Sequence, residues 1–181
     1  ITMPTRSHSQ YYAAMHVAAA VYDDDNNPIA ILKINLDPEL GFTEILRRGT
    51  IGESGESYAF NRQGKMISQS RFDQDLKKIG LVAELARSIL NLDIRDPGVN
   101  LLEGHRPTLV REKQPLTLMA QSAIEQGDGS NLDGYRDYRG VPVIGRWMWD
   151  PVYEFGFATE IDVDEAYASV NATRKLFFIL S

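Results

Sequence analysis

The sequence predicts an α+β fold: a five-stranded antiparallel sheet with flanking helices, preceded by a strand hairpin and a connector helix and followed by a C-terminal helix. Three observations predict it. Runs of period-two alternation occur early and late in the chain, as half-buried strands require. Between them, apolar residues recur at helical spacing. The last three strand-like runs are joined by turns of a few residues, which only antiparallel neighbours can use, since a parallel crossover needs about a dozen.

Residues 11–21 are apolar and rich in small side chains, and residues 29–36 alternate; Asp23-Asp24-Asp25-Asn26-Asn27-Pro28 between them reads as a turn. Asp37-Pro38 then suits a helix start, with Asp37 as N-cap and Pro38 at the first helical position. Phe42, Ile45 and Leu46 would form the apolar face of this connector, which Gly49 ends.

Residues 57–61, a turn at Arg62-Gln63-Gly64 and residues 65–70 read as a hairpin, with Gly64 where positive φ is needed. Leu81, Leu85, Ile89 and Leu92 fall on one helical face, broken by Asp96-Pro97-Gly98. Leu116, Met119, Ala120, Ala123 and Ile124 define a second amphipathic helix that stops at Gly127. Strands return at 134–138, 142–149 and 155–161, with turns at Arg139-Gly140 and around 151–154. The order strand, strand, helices, strand, strand, strand is that of a PAS-like sheet. Asp162 to Glu165 spells a D-x-x-E capping arrangement that launches a helix through Ala166, Val170 and Leu176.

With 181 residues and 43% hydrophobic content, the chain can bury one full core plus a fragment of another. A net charge of −6 disfavours nucleic acid as a partner. With 0 Cys, disulfides and thiolate metal sites are excluded. The run Leu176-Phe177-Phe178-Ile179-Leu180 follows Arg174 and Lys175. Five helical residues rise about 7.5 Å against roughly 30 Å of bilayer core, so the run reads as the first turn or two of a transmembrane helix, or as a helix docked on its own core.

The motifs of common chemistries are absent or incomplete. Asp23-x-Asp25-x-Asn27 opens like a calcium loop, but Pro28 stands where Gly is needed and Ile34 where a bidentate Glu is needed, so it reads as a solvated turn. Gly52 to Gly55 lacks the Gly-Lys-Ser/Thr of a phosphate loop, and Ser54 lacks the closing Gly of a nucleophile elbow. His8, His16 and His105 are scattered and give no zinc spacing. Asn171-Ala172-Thr173 fits a glycosylation sequon, idle in a bacterium. Asp162 and Glu165 are better explained as helix caps than as an acid and base pair. No cofactor and no catalytic residue is expected.

Two segments carry a family resemblance. Ile51-Gly52-Glu53-Ser54-Gly55-Glu56-Ser57-Tyr58-Ala59-Phe60-Asn61-Arg62-Gln63-Gly64, followed by Ile67-Ser68, resembles the first hairpin of the membrane-proximal module in double Cache sensor regions. Asp133-Gly134-Tyr135-Arg136-Asp137-Tyr138-Arg139-Gly140-Val141-Pro142-Val143 through Trp147, then Gly156 to Asp162, resembles its last three strands. The resemblance implies a remnant of a membrane-distal module at 1–48, a membrane-proximal PAS-like module at 49–165, and at 166–181 a helix leading into a membrane. It implies an extracytoplasmic sensor or signal relay of a bacterial receptor such as a sensor histidine kinase, on the periplasmic or extracellular face of the inner membrane. It departs from the family in lacking the long N-terminal helix and most of the distal module, which usually carries the ligand pocket.

A PAS-like sheet curls around its helices, so inward polar side chains could line a small pocket in which Arg clamps a carboxylate and Asp holds an ammonium. Tyr58 and Phe60 share a face; so do Tyr135, Asp137 and Arg139; and Trp147 and Trp149 lie opposite Arg146 and Met148. The candidate ligand-binding residues are therefore Tyr58, Phe60, Tyr135, Asp137, Arg146 and Trp147, for an amino acid, a carboxylate or an amine. The competing reading places Arg136, Asp137, Arg139 and Arg146 in cross-strand ion pairs on the solvent face, each worth under about 1 kcal/mol. A structural role is the alternative function: a homodimer of the receptor with Ala166, Val170, Thr173 and Phe177 as its seam.

Overall fold

The computed structural model describes residues 5–6 and 13–168 of the chain. Two antiparallel sheets organise them. The first comprises β1 (Thr5–Arg6), β2 (Ala13–Tyr22) and β3 (Pro28–Leu36), in that order. Its β2–β3 turn is closed by Asp23, whose Oδ1 accepts from the amides of Asp25 at 3.0 Å and Asn27 at 2.8 Å. Both faces of β3 are exposed: Ile31 and Leu32, which point to opposite sides, are 74% and 60% accessible.

A π-helical turn at Glu39–Thr43 and α1 (Glu44–Arg47) form the connector. Asp37 accepts from the Glu39 amide at 2.8 Å, but the N-cap position expected of Asp37 is taken by Pro38, so the turn begins one residue later without a side-chain cap. Phe42 and Leu46 face inward, but Ile45 is exposed, because the π-helical turn widens the spacing and takes Ile45 off the expected face.

The second sheet contains β4 (Glu56–Asn61), β5 (Gly129–Arg136), β6 (Pro142–Asp150) and β7 (Phe155–Asp162), ordered β4-β7-β6-β5. It has four strands where five were expected. Residues 65–70 follow the anticipated turn, with Gly64 at φ 72, but keep only the bridge Phe60 to Met66. Their backbone groups are divided: Ile67 donates to Ala59, whereas Met66 exchanges bonds with Leu90 and Leu92. The α+β class with its flanking helices is as expected.

Between β4 and β5 lie α2 (Asp73–Lys78), a 3-10 turn at Arg111–Lys113 and α3 (Leu118–Gln126). α3 matches the sequence reading: Thr117 Oγ1 accepts from the Ala120 amide, and Gly127 at φ 87 ends the helix. The helix expected through Leu81 and Leu92 is absent. Leu85 is 86% exposed and Leu90 sits at φ 59, a left-handed conformation no helix accommodates. The segment threads between two cores, placing Leu92 in one and Ile89 and Leu90 in the other.

The larger core lies under the inner face of the second sheet, where Tyr58, Phe60, Trp147, Met119, Leu76 and Ile94 pack together. Burying each such side chain contributes about 1.5–3 kcal/mol. The smaller core lies on the opposite face, where Phe42 of the connector meets Phe155 at 6.2 Å and Phe157 at 6.0 Å between ring centroids. The connector is thereby docked on β7. α4 begins at Val163–Ala166 directly after β7. The apolar run at 176–180, the seam positions Val170, Thr173 and Phe177, and the sequon at 171–173 lie outside the described residues. Among those that are described, no helix is long and apolar enough to cross a membrane.

Candidate functional site

Alternation along β4 turns Glu56, Tyr58 and Phe60 to the inner face, where they are buried. Across β7 their partners are Glu160, Ala158 and Gly156. The small partners leave room for the rings: a Cβ on Gly156 would lie 2.4 Å from Phe60 Cζ. Gly145 of β6 plays the same part, since a Cβ there would stand 2.6 Å from Tyr135 Oη.

Two buried carboxylates organise this face. Glu160 accepts from Tyr58 Oη at 2.8 Å and Tyr135 Oη at 2.6 Å. Glu56 accepts from Ser70 Oγ at 2.6 Å, from the Arg71 amide at 2.9 Å and from Tyr138 Oη. Burial pushes the Glu160 carboxyl up to about 8, and the neighbouring Asp137 pushes the same way against the tyrosine hydrogen bonds. Burial also raises Glu56, with Ser70 and Tyr138 opposing it. The Tyr58 and Tyr138 phenols rise well above the usual range through burial and the adjacent glutamates, so both remain donors.

Beside them lies an ion triad, buried at Asp137 and Arg139 and half-buried at Asp162. Arg139 Nε donates to Asp137 Oδ2 at 2.5 Å and its Nη2 to Asp162 Oδ1 at 2.8 Å, while its guanidinium stacks 4.0 Å from the Phe72 ring centroid. Asp137 Oδ1 also accepts from the amides of Arg139 and Val141, closing the turn between β5 and β6. Burial raises the Asp137 carboxyl, and Arg139 opposes that rise.

Of the residues selected from sequence, Tyr58, Phe60, Tyr135 and Trp147 come together on the inner face, with Tyr135 edge-on to Trp147 at 6.0 Å. Asp137 lies beside them, buried with Arg139. Arg146 is exposed on the outer face, apart from the others. Of the residues assigned to cross-strand ion pairs, Arg136 pairs instead with Asp96 of a loop at 2.8 Å, and Asp137 and Arg139 pair in the interior. Sequence reasoning missed Glu56, Glu160, Tyr138 and Ser70. Period two was the available signal, because it places Glu56 beside Tyr58 and Glu160 beside Ala158.

The exit from the sheet departs from the expected capping arrangement. Asp162 makes no side-chain cap, because Arg139 takes its carboxylate. Glu165 turns away from its own helix. It accepts from the amides of Glu53 at 2.8 Å and Ser54 at 2.7 Å and from Ser54 Oγ, and Ser54 Oγ in turn accepts from the Asp162 amide at 3.1 Å. Successive backbone N–H groups form a nest that suits a carboxylate better than the lone N-cap amide at the start of a four-residue helix does. Gly52 makes the nest possible: it lies at φ 64, and a Cβ would stand 2.2 Å from Glu165 Oε1. The segment between connector and sheet thus holds the start of the exit helix.

No protein-family model and no curated protein matches this sequence. Among solved structures, the extracellular domain of a histidine kinase, mmHK1S-Z3, matches with a TM-score of 0.55 and 13% identity over 94% of this chain and 51% of that one. The fold of this chain is similar to that of this extracellular domain. The periplasmic sensory domain of the Campylobacter jejuni chemoreceptor Tlp1 matches with a TM-score of 0.48 and 14% identity, over 88% of this chain and 46% of its own. The chain therefore spans about half the length of these two sensor domains.

Proposed function

We propose that the chain is the signal-relay part of the extracytoplasmic sensor region of a bacterial membrane receptor, built as two Cache modules in series. Residues 1–48 are the end of a membrane-distal module, 49–165 form the membrane-proximal module, and 166–181 lead toward a transmembrane segment. The observation that carries this reading is the grip of Glu53 and Ser54 on Glu165, which links the connector side of the sheet to the helix that leaves it.

Two further features support it. A hairpin with apolar residues exposed on both faces suits strands whose sheet is completed by other parts of a receptor, since a lone hairpin is marginally stable. The hydroxyls that would greet a ligand on the inner face are already spent on Glu56 and Glu160. Shifting a two-state element from 1:99 to 99:1 takes about 5.5 kcal/mol, which in this reading a neighbouring module supplies through the docked connector.

The test is the receptor at full length. Hydrogen exchange should find β2 and β3 as protected as β6, and Glu165→Ala should change output while leaving ligand affinity intact. Freely exchanging hairpin amides together with unchanged output would refute the proposal. A second reading, direct sensing on the inner face of the sheet, is favoured by Trp147 Nε1, which is buried without a hydrogen-bond partner among the described residues. A thermal shift produced by amino acids, carboxylates or amines and abolished by Tyr135→Phe would establish it.

A further inference from the structure

Although the chain is acidic overall, one cleft is cationic. It measures about 520 Å³ and lies between the connector, which contributes Glu39 and Arg47, and the region of α2, which contributes Arg71, Asp73 and Lys77, with Arg87 beside them. That volume is in the range of small-molecule sites. Its four cations face two carboxylates, and both carboxylates are occupied. Glu39 pairs with Arg87; Asp73 pairs with Lys77 at 3.4 Å and accepts from the Ser88 amide at 2.8 Å.

Arg47 and Arg71 are left over. Arg47 is exposed and has no carboxylate partner among the described residues. Arg71 donates to the Gly55 carbonyl and lies 5.5 Å from the Phe72 ring; no carboxylate among the described residues is within ion-pair distance, although its charge reaches Glu165. The cleft thus carries more cations than carboxylates, and a guanidinium presents a fork that matches a planar or tetrahedral oxyanion.

We propose that this cleft binds a small dianion, a dicarboxylate or a phosphate group, between Arg47 and Arg71. Its position gives the binding a consequence. Arg47 belongs to the connector, while Arg71 follows Ser70, whose hydroxyl bonds Glu56 and Tyr138 in the buried cluster. A bound dianion clamps the connector to the sheet at the point where the relay begins. That consequence rests on the relay reading; the binding does not.

Titration of the 181-residue chain by calorimetry and thermal shift, with succinate, inorganic phosphate, acetate and sodium chloride at matched ionic strength, tests the inference. A saturable rise in Tm with a dianion, absent with acetate and chloride, is expected, and the better of succinate and phosphate identifies the oxyanion. Arg47→Ala should weaken binding at least about tenfold, equivalent to about 1.4 kcal/mol. Arg106→Ala, at an exposed cation outside the cleft, should leave it unchanged. The Arg47 side chain has no carboxylate partner among the described residues and its hydrogen bonds with Thr50 run through the backbone, so Arg47→Ala leaves the fold intact and its result is decisive; Arg71→Ala gives a second reading. No saturable shift with either dianion, or equal binding by Arg47→Ala and the unaltered chain, overturns the proposal. Neither result bears on the Glu165 experiment.

Discussion

Glu56 and Glu160 stand directly opposite one another on β4 and β7, with both side chains on the inner face and each 4% exposed. The hydrogen-bond donors that reach them are neutral: three tyrosine hydroxyls, a serine hydroxyl and one backbone amide. Like charges facing each other across a strand pair repel, and a dry interior magnifies the repulsion. The pair is therefore stable where at least one carboxyl keeps its proton.

Stability should accordingly fall as pH rises through neutrality. Glu160 releases its proton near 4.5 in the unfolded chain and at about 8 in the folded one. Between those values the native state holds a proton that the unfolded state lacks, so this contribution is full below about 4.5 and is lost by about 8. Glu56 and Asp137, raised by burial, act in the same direction. Glu160→Gln should flatten the slope and be the more stable protein at the alkaline end, by about 2 kcal/mol. Urea melts across this window are the measurement; an unchanged slope in the variant would contradict the assignment.

Gly145→Ala should destabilise the sheet by about 2 kcal/mol, as overpacking of a filled interior does. The new methyl would lie 2.6 Å from Tyr135 Oη and 2.8 Å from the Thr159 carbonyl oxygen. Because it also displaces a donor that holds the Glu160 carboxyl down, the loss of stability with rising pH should extend to higher pH than in the parent. Denaturant midpoints within about 0.3 kcal/mol of the parent would argue that the strands have room there.

Arg139→Met should cost about 3–5 kcal/mol, because Asp137 is left buried without its cation and Asp162 loses a partner. Methionine keeps the contact with Phe72. Adding Asp137→Asn should recover part of the loss while retaining the turn-closing acceptor. A double-mutant cycle measures the coupling, and strict additivity would show that the two side chains act independently.

Gly52→Ala should free Glu165 from its nest, since the methyl would occupy the position of the carboxylate oxygen. Exchange at the Tyr167 amide, which bonds Val163 at 3.0 Å, should accelerate several-fold while the amides of β6 are unaffected. Equal exchange in both proteins would mean that the nest does not hold the helix.

Local chemistry made much of this fold legible. β6 and β7 follow from alternation and short turns, and α3 follows from Thr117 at its start and Gly127 at its end. What sequence could not disclose is long-range. Tyr58 meets Glu160 across 102 residues because β4 pairs with β7, and only that strand order reveals Glu56 and Glu160 as a facing pair. Glu165 fits a capping motif locally, yet Glu53, 112 residues away, offers a better donor. Residues 81–92 look helical because their leucines are suitably spaced, but the chain divides Ile89, Leu90 and Leu92 between two cores. Of the candidate site, the aromatic positions were legible and the acids between them were not. A carboxylate on a strand reads as solvent-facing until its neighbours are known.

The relay claim is tested most directly by the distance between the connector and the exit helix. Arg48 and Asp164 are exposed, and the chain has 0 Cys, so Arg48→Cys and Asp164→Cys accept spin labels cleanly. Pulsed dipolar spectroscopy should give one narrow distance distribution in this background and a broad or displaced one when Glu165→Ala is added. The same narrow distribution with and without Glu165 would contradict the account, because connector and helix would then be held together by something else.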